Sequence, residues 1–505
     1  MSREVRSFDV APAFVLPPPD ASGVRARPRP EVTVTATYLD TADLRLARAG
    51  AALWHRAGET LPWAVRLPHA NGFTPGELHR AGAPDRPPEE LVWLVAALTR
   101  GAALAPVAVL RTVRRRVDLV DPAGARLAEI ADDTVEAAVP GRAVRVFREV
   151  VVTPLAGAPE LLSAVEERLL AAGARPAPPA PAHVRALGAA AAYPPDALPP
   201  APRLPVPPRA ADVVIDVVRA GVARVLAHDP LVRLDEPLPG GDTAVHQMRV
   251  GCRRLRSDLR TFGRLVDPRW ARPLRAELRW LADRLAGPRD AEVLRARMHE
   301  TAAADPLVPL DAADLARLDT ILAHRRDEAY GELQEALRTR RYLVLVQRLT
   351  AATRRLPLLS AAGEPAAAIL PGLVARPWRR LVKGGHGVPG AGRLAPDAPD
   401  VDWHQVRIHA KRARYAAEAA QAAGDPRLAP LARKLAKLQN LLGEHADAAM
   451  AAETWLALGE AHPDLAPTCA HLAARERAAA TAVRTTYPTR WHKTERKGTF
   501  LTQYV

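Results

Sequence analysis

HQMRVGCRRLR, from His246 to Arg256, and HQVRIHAKRAR, from His404 to Arg414, carry one arrangement of basic residues twice, 158 residues apart. Each has His at position 0, Arg at +3, Arg or Lys at +7, Arg at +8 and Arg at +10. At about 100° per residue on a helix, positions 0, +3, +7 and +10 fall within an arc of roughly 80°. Met248, Cys252, Leu255, Leu259 and Phe262 fall on the opposite side of the first copy. Both segments therefore read as amphipathic helices that reserve one face for His and Arg.

That face suits a row of negative charges. The Arg fork donates two parallel hydrogen bonds to phosphate oxygens and keeps its charge. His246 and His404 add sensitivity to pH near neutrality, and a nearby polyanion should favour their protonated forms. Candidate N-caps stand just ahead of each His, Asp242 or Thr243 in the first copy and Asp400 or Asp402 in the second. They would place both His residues in a first turn, where backbone N–H groups attract anions. Arg249, Arg253 and Arg256 continue the first row and Arg260 extends it; Arg407, Lys411 and Arg414 continue the second, where Glu418 takes the place of Arg260. Arg254 and Arg412, at +8, lie off the main face. A row from His246 to Arg260 is roughly 21 Å long, more than a single phosphate needs. The competing reading pairs these cations with acidic neighbours across a bundle; two copies with matched spacing favour the anion site.

Composition places this chemistry in the later part of the chain. The 505 residues exceed a single ordinary core and call for two or three domains. Residues 1–200 hold 23 Arg, no Lys and 22 Asp or Glu, whereas the remainder holds 48 basic against 34 acidic residues. The net charge of +15 thus lies almost wholly after residue 200, which points to a polyanionic partner there. Two cysteines, Cys252 and Cys469, rule out a disulfide scaffold and a Cys-based zinc site. No apolar run approaches a membrane span and the first residues lack the apolar core of a signal peptide, so a cytoplasmic protein without a membrane partner is expected.

Residues 1–172 read mainly as strands: EVTVTATYLD, LPWAVRLP, APVAVLRTVRRRVDLVD, ARLAEIADDTVEAAV and RAVRVFREVVVTPL are rich in Val and Thr and separated by Gly and Pro. A helix follows from Pro159. Residues 176–208 are dense in Pro and read as an extended linker, with a short helix near 184–192. From 209 to 485 the pattern is one of long amphipathic helices. Leu278, Leu281, Leu285 and Asp290 are echoed by Leu435, Leu438, Leu442 and Asp447 at an offset of 157, so this region holds two similar halves. Lys434, Lys437 and His445 flank the second echo and are expected to border the site, while His299 and His409 read as ordinary surface or packing residues. Residues 486–505 are polar and basic and receive no structure.

The HxxRxxx(R/K)RxR helices and the Leu–Asp echoes resemble the CHAD domain, the conserved-histidine α-helical family, over about residues 209–485. The resemblance implies two pseudo-symmetric helical bundles around a basic groove that binds inorganic polyphosphate, with no cofactor. Carried over by position, His246, Arg249, Arg253, Arg256, His404, Arg407, Lys411 and Arg414 would bind it, and association with polyphosphate granules would follow.

Tyr38–Arg56, PWAVRLP, LRTVRRRVDL, ARLAEIADD and FREVVVTPL resemble, in order and spacing, the CYTH or triphosphate tunnel family, which often precedes CHAD domains. This implies an α+β chain whose residues 1–175 form a closed antiparallel barrel of about eight strands. Arg56, Arg66, Arg111 and Arg114 match positions that would contact a triphosphate. The chain departs from the family where metal binding is concerned. REVRSFDV keeps Glu4 but lacks the second Glu and the Lys of the family's first strand, and Val151 and Thr153 follow Glu149 where carboxylates should alternate. Glu129, Asp132 and Asp133 persist. Hydrolysis of a triphosphate needs a divalent ion held by oxygen ligands. The expectation is therefore a binding protein without catalytic or metal-ligating residues. The alternative is a CYTH-type triphosphatase acting on inorganic or nucleoside triphosphates with Mg or Mn. Nucleic acid is a weaker candidate partner, because the basic rows carry no interleaved aromatics for stacking.

Overall fold

The computed structural model describes residues 5–18, 24–68, 76–155, 159–177, 180–200, 203–304, 309–385, 387–421 and 424–504. Glu4 lies outside them. The chain divides into two compact units, Met1–Ala197 and Leu198–Val505.

The first unit is built on one antiparallel sheet of ten strands: β1 (Arg6–Val10), β2 (Arg25–Pro28), β3 (Val32–Asp40), β4 (Ala52–Arg56), β5 (Trp63–Arg66), β6 (Leu78–Arg80), β7 (Ala105–Val120), β8 (Arg126–Ala138), β9 (Arg145–Pro154) and β10 (Arg175–Ala177). They pair in the order β10-β1-β9-β8-β7-β3-β4-β5-β6, with β2 joining the far end of β7. Among the described residues the edge strands β10 and β6 do not pair with each other, so the closed barrel expected from the resemblance is not shown; an open antiparallel sheet is.

Short helices α1 (Arg45–Arg48), α2 (Glu89–Leu94) and α3 (Ala96–Thr99) interrupt the strands, and α4 (Pro159–Ala171) follows them. Leu161, Leu162, Val165 and Leu169 of α4 pack on Phe8, Ile130, Val150 and Val152, because alternation turns those strand residues to one face. The Pro-rich segment is less extended than its composition implies. Within it, α5 (Ala182–Leu187) and α6 (Ala189–Ala192) bury Ala186, Leu187 and Ala191 against Leu110, Val135 and Ala137 of the sheet.

The second unit is helical: α7 (Ala210–Leu234), α8 (Ala244–Thr261), α9 (Pro268–Arg284), α10 (Ala286–Ala303), α11 (Ala312–Arg338), α12 (Arg340–Arg354), α13 (Ala366–Lys383), α14 (Asp400–Ala419), α15 (Leu428–Ala461) and α16 (Ala466–Gly498). The Leu–Asp echo lies on α9 and α10 in one half and on the single helix α15 in the other. The break at Leu285 precedes Gly287 and Pro288, where the second copy has Glu444 and His445. Met248, Cys252, Leu255, Leu259 and Phe262 are all buried, as the apolar stripe requires. Gly251 lets α8 approach α7: a Cβ there would lie 3.0 Å from Val225 Cγ2.

The polar basic tail is not without structure. Helix α16 runs through it to Gly498 and buries Tyr487, Trp491 and Thr494, and Leu501 is buried in the turn that follows. Trp491 stacks on Trp378 of α13 at 6.0 Å. The four inward positions 487, 491, 494 and 498 follow helical spacing, but Arg490, Lys493, Arg496 and Lys497 between them mask it.

Candidate anion site on helices α8 and α14

Helix α8 begins as its sequence predicts. Thr243 is the N-cap and its hydroxyl accepts the His246 amide N–H at 3.2 Å. Helix α14 begins earlier than expected, with Pro399 as N-cap and Asp400 and Asp402 in its first turn. His404 therefore lies in the second turn, where amides are already bonded within the helix. Neither helix start supplies the open backbone pocket that the sequence implied, since Thr243 closes one and acidic side chains occupy the other.

The cations themselves converge. Arg253 is lowered to about 10 by burial and then by Arg249, Arg407 and Arg256. Lys411 is lowered to about 6 by burial and then by Arg253, Arg407, Arg249 and Arg256. Helices α8 and α14 thus turn their basic rows toward a common seam. Burial and the neighbouring arginines also hold His246 and His404 below the ordinary histidine value.

Compensation by carboxylates is partial. Arg249 reaches Asp290 at 3.7 Å, and Arg407 reaches Asp447 at 3.8 Å. The +3 arginine of each row thus meets the aspartate of the echo in its own half, so the two repeats seen in the sequence are two sides of one contact. Both aspartates are raised by burial, with their arginines acting in opposition. The Arg249 Nε is buried without a hydrogen-bond partner.

Arg254 bonds Asp258 at 3.2 Å and also Glu418, which in turn accepts from Arg414 at 2.6 Å. These two arginines are the most fully neutralised of those on the two basic rows. Asp258 beside them is pushed up to about 7 by burial, against the pull of Arg254. Tyr415, not singled out from the sequence, stands among three cations: Arg254 at 4.7 Å, Lys411 at 5.5 Å and Arg414 at 5.9 Å from its ring.

Beyond Arg256 the positive surface continues. Arg412 is lowered by burial and then by Arg260, Arg256, Arg380 and Arg275. Arg272, Arg275 and Arg279 of α9 and Arg380 of α13 were missed in the sequence, although Arg272, Arg275 and Arg279 repeat the 0, +3, +7 spacing of the rows.

Other expected residues do not join the seam. His445 is buried, stacks on Trp403 at 4.8 Å and accepts from Arg484 at 3.0 Å, which makes it a packing residue between α14 and α16. Lys434 is half-buried and Lys437 exposed on α15. His299 is exposed and 3.0 Å from Asp319, and His409 is buried.

In the sheet unit, Arg56, Arg66 and Arg114 act together on Tyr38, whereas Arg111 is exposed on β7. His183 of α5 stacks on Tyr38 at 4.5 Å and is lowered to about 3, by burial and then Arg66. Asp9, Glu149 and Asp133 are register partners across β1, β9 and β8, a row in which Asp9 was not anticipated. Each acid faces an arginine. Arg185 of α5 bonds Asp9 and Glu149, Arg114 bonds Asp133 at 2.5 Å, Arg148 bonds Asp132 at 2.6 Å and Arg126 bonds Glu129 at 2.9 Å. Carboxylates committed to guanidinium groups do not fit a divalent ion, and among the described residues no cluster of three or more His, Cys, Asp or Glu could hold one.

Residues 216–456 match the CHAD domain. Two uncharacterized proteins of Mycobacterium tuberculosis, Rv2226 and MT2285, are each 32% identical over 474 residues, spanning 89% of this chain and 87% of theirs. The chain belongs to the CHAD family. Its N-terminal region is an antiparallel β-sheet. Among solved structures, PptA from Streptomyces chartreusis aligns with 56% of this chain and 99% of its own at 25% identity and a TM-score of 0.45. The CHAD domain from the plant Ricinus communis aligns with 60% of this chain and 95% of its own, at 23% identity and a TM-score of 0.42. A presumptive adenylate cyclase from Bacillus halodurans aligns with 36% of this chain and 96% of its own, at 14% identity and a TM-score of 0.25. No described helix is long and apolar enough to cross a membrane.

Proposed function

We propose that this CHAD protein binds inorganic polyphosphate along the seam between α8 and α14, without a metal or cofactor. One observation carries the reading: basic rows from two repeated helices converge closely enough to lower one another's pKa, with only partial compensation by Asp290, Asp447 and Glu418. Such a concentration of like charge opposes folding of the free protein and is relieved by a polyanion. A linear polymer of phosphates supplies that charge at close spacing and accepts bidentate hydrogen bonds from Arg. Nucleic acid is the weaker candidate, because Tyr415 in the seam is buried beneath its cations rather than presented for base stacking.

The sheet unit, in this proposal, is a triphosphate-tunnel relative that has exchanged its metal for arginine. Arg56 and Arg66 remain as anion contacts, and Arg185 and Arg114 hold the carboxylates a divalent ion would need. Titration of long-chain polyphosphate into the full chain across a salt series tests the binding function. The logarithm of the affinity should fall steeply and linearly with the logarithm of salt concentration; equal competition per charge by DNA would replace polyphosphate with a generic polyanion. Phosphate release from inorganic triphosphate with Mg or Mn should stay at the uncatalysed level, and robust turnover would restore the triphosphatase alternative.

A further inference from the structure

We propose that Arg272, Arg275 and Arg279 of α9, with Arg380 of α13, form a one-sided cationic branch that grips a polyphosphate chain beyond the seam and so selects long polymers over short ones. The inference rests on the seam being a polyphosphate site and adds a chain-length preference to it.

The branch is continuous with the seam. Arg256 is lowered by burial and then by Arg260, with Arg279 also acting on it. Arg275 is lowered by burial and then by Arg260, Arg256 and Arg272. Among the described residues the Arg275 Nε is buried with no hydrogen-bond partner, as is the Arg249 Nε within the seam. A donor withdrawn from water and left unpaired costs free energy that an acceptor oxygen recovers. The acids nearby are few. Asp283 opposes the arginines around Arg256 and lies 3.6 Å from Arg279, with both of those side chains mostly exposed. Arg380 donates to the Gly385 carbonyl at 3.0 Å.

Among the described residues the second half does not repeat this arginine row. At the offset of 157, Arg272, Arg275 and Arg279 correspond to Ala429, Ala432 and Ala436. Lys434 and Lys437 correspond instead to Glu277 and Trp280, on another face of the helix. The seam is pseudo-symmetric, but its exit is not. A short polymer satisfies the seam alone, whereas a long one continues across α9, where the seven steps from Arg272 to Arg279 add roughly 10 Å of track.

The test compares inorganic triphosphate with long-chain polyphosphate as ligands of the full chain, its Arg272→Ala/Arg275→Ala variant and its Arg249→Ala/Arg407→Ala variant. The α9 variant should lose about tenfold in affinity for the long chain and less than about twofold for triphosphate, with the salt slope reduced by about 2. The seam variant should weaken both ligands. Because Arg275 is half-buried, Arg272→Glu provides a second variant at an exposed position, and it should shift long-chain affinity in the same direction. Equal losses for both ligands, or an unchanged affinity for the long chain, overturns the branch while leaving the seam intact. Failure of the unaltered protein to bind either ligand overturns the polyphosphate reading, and the branch with it.

Discussion

Arg114 in the sheet unit and Arg253 in the helical unit carry the same charge in opposite company. Arg114 is raised by its hydrogen bonds to Asp133, and Arg148 likewise by Asp132. Arg253 is lowered by burial and by other arginines. A guanidinium matched to a carboxylate stabilises the fold and has little left to offer a ligand. A guanidinium matched to other guanidinium groups weakens the fold and is completed by an external anion. The difference lies in what the neighbouring strand or helix presents, since Arg is abundant in both units.

The contrast breaks most decisively at Arg148, whose pair with Asp132 is largely shielded, at 11% and 5% side-chain exposure. Arg148→Ala should destabilise the sheet unit by about 3 kcal/mol, because it leaves a buried carboxylate unmatched, while polyphosphate affinity stays unchanged. Chemical denaturation of the full chain reads the first outcome and a binding titration the second; loss of binding would end the division of labour between the units. The converse experiment is Arg249→Ala with Arg407→Ala. Affinity should fall by about tenfold to a hundredfold, as expected for lost charge-assisted hydrogen bonds, with little change in the unfolding midpoint.

A smaller effect comes from pH. In the free protein Lys411 sits at about 6, below its ordinary value, and His246 and His404 are also lowered. Bound phosphates would favour the charged forms and raise all three, so the complex holds more protons than the free protein. Below these free-state values the groups are already charged and affinity is greatest. Affinity should therefore fall, by roughly threefold to tenfold, as pH rises from about 6 to about 8. Calorimetry in buffers of different ionisation enthalpy should show proton uptake on binding, and Lys411→Arg should lessen it, because Arg keeps its proton. Proton release would contradict the proposed geometry. The smallest change is expected from Glu418→Gln, which frees Arg254 and Arg414 from their shared carboxylate. It should raise polyphosphate affinity by about twofold, and a decrease would mean that Glu418 positions these arginines for the ligand.

The legibility of the site followed its geometry. Rows within one helix could be read because the period of 3.6 residues ties sequence spacing to a face. The apolar stripe from Met248 to Phe262 could be read for the same reason. Contacts between helices could not: Glu418 bridging Arg254 and Arg414, Tyr415 among three cations, and Arg412 beside Arg275 and Arg380 join residues distant in sequence or on different helices. His445 shares a helix with Lys434 and Lys437, yet its packing on Trp403 removes it from the seam. In the tail, basic residues hid an inward-facing Tyr and Trp.

The sequence by itself determined the repeated basic faces and the two dissimilar parts of the chain, because each is a local pattern carried by the period of a helix or strand. Tertiary structure alone decided which cations are neutralised and which are left facing one another. Electrostatic partnership depends on separations of a few ångströms across elements, and no spacing along the chain encodes those.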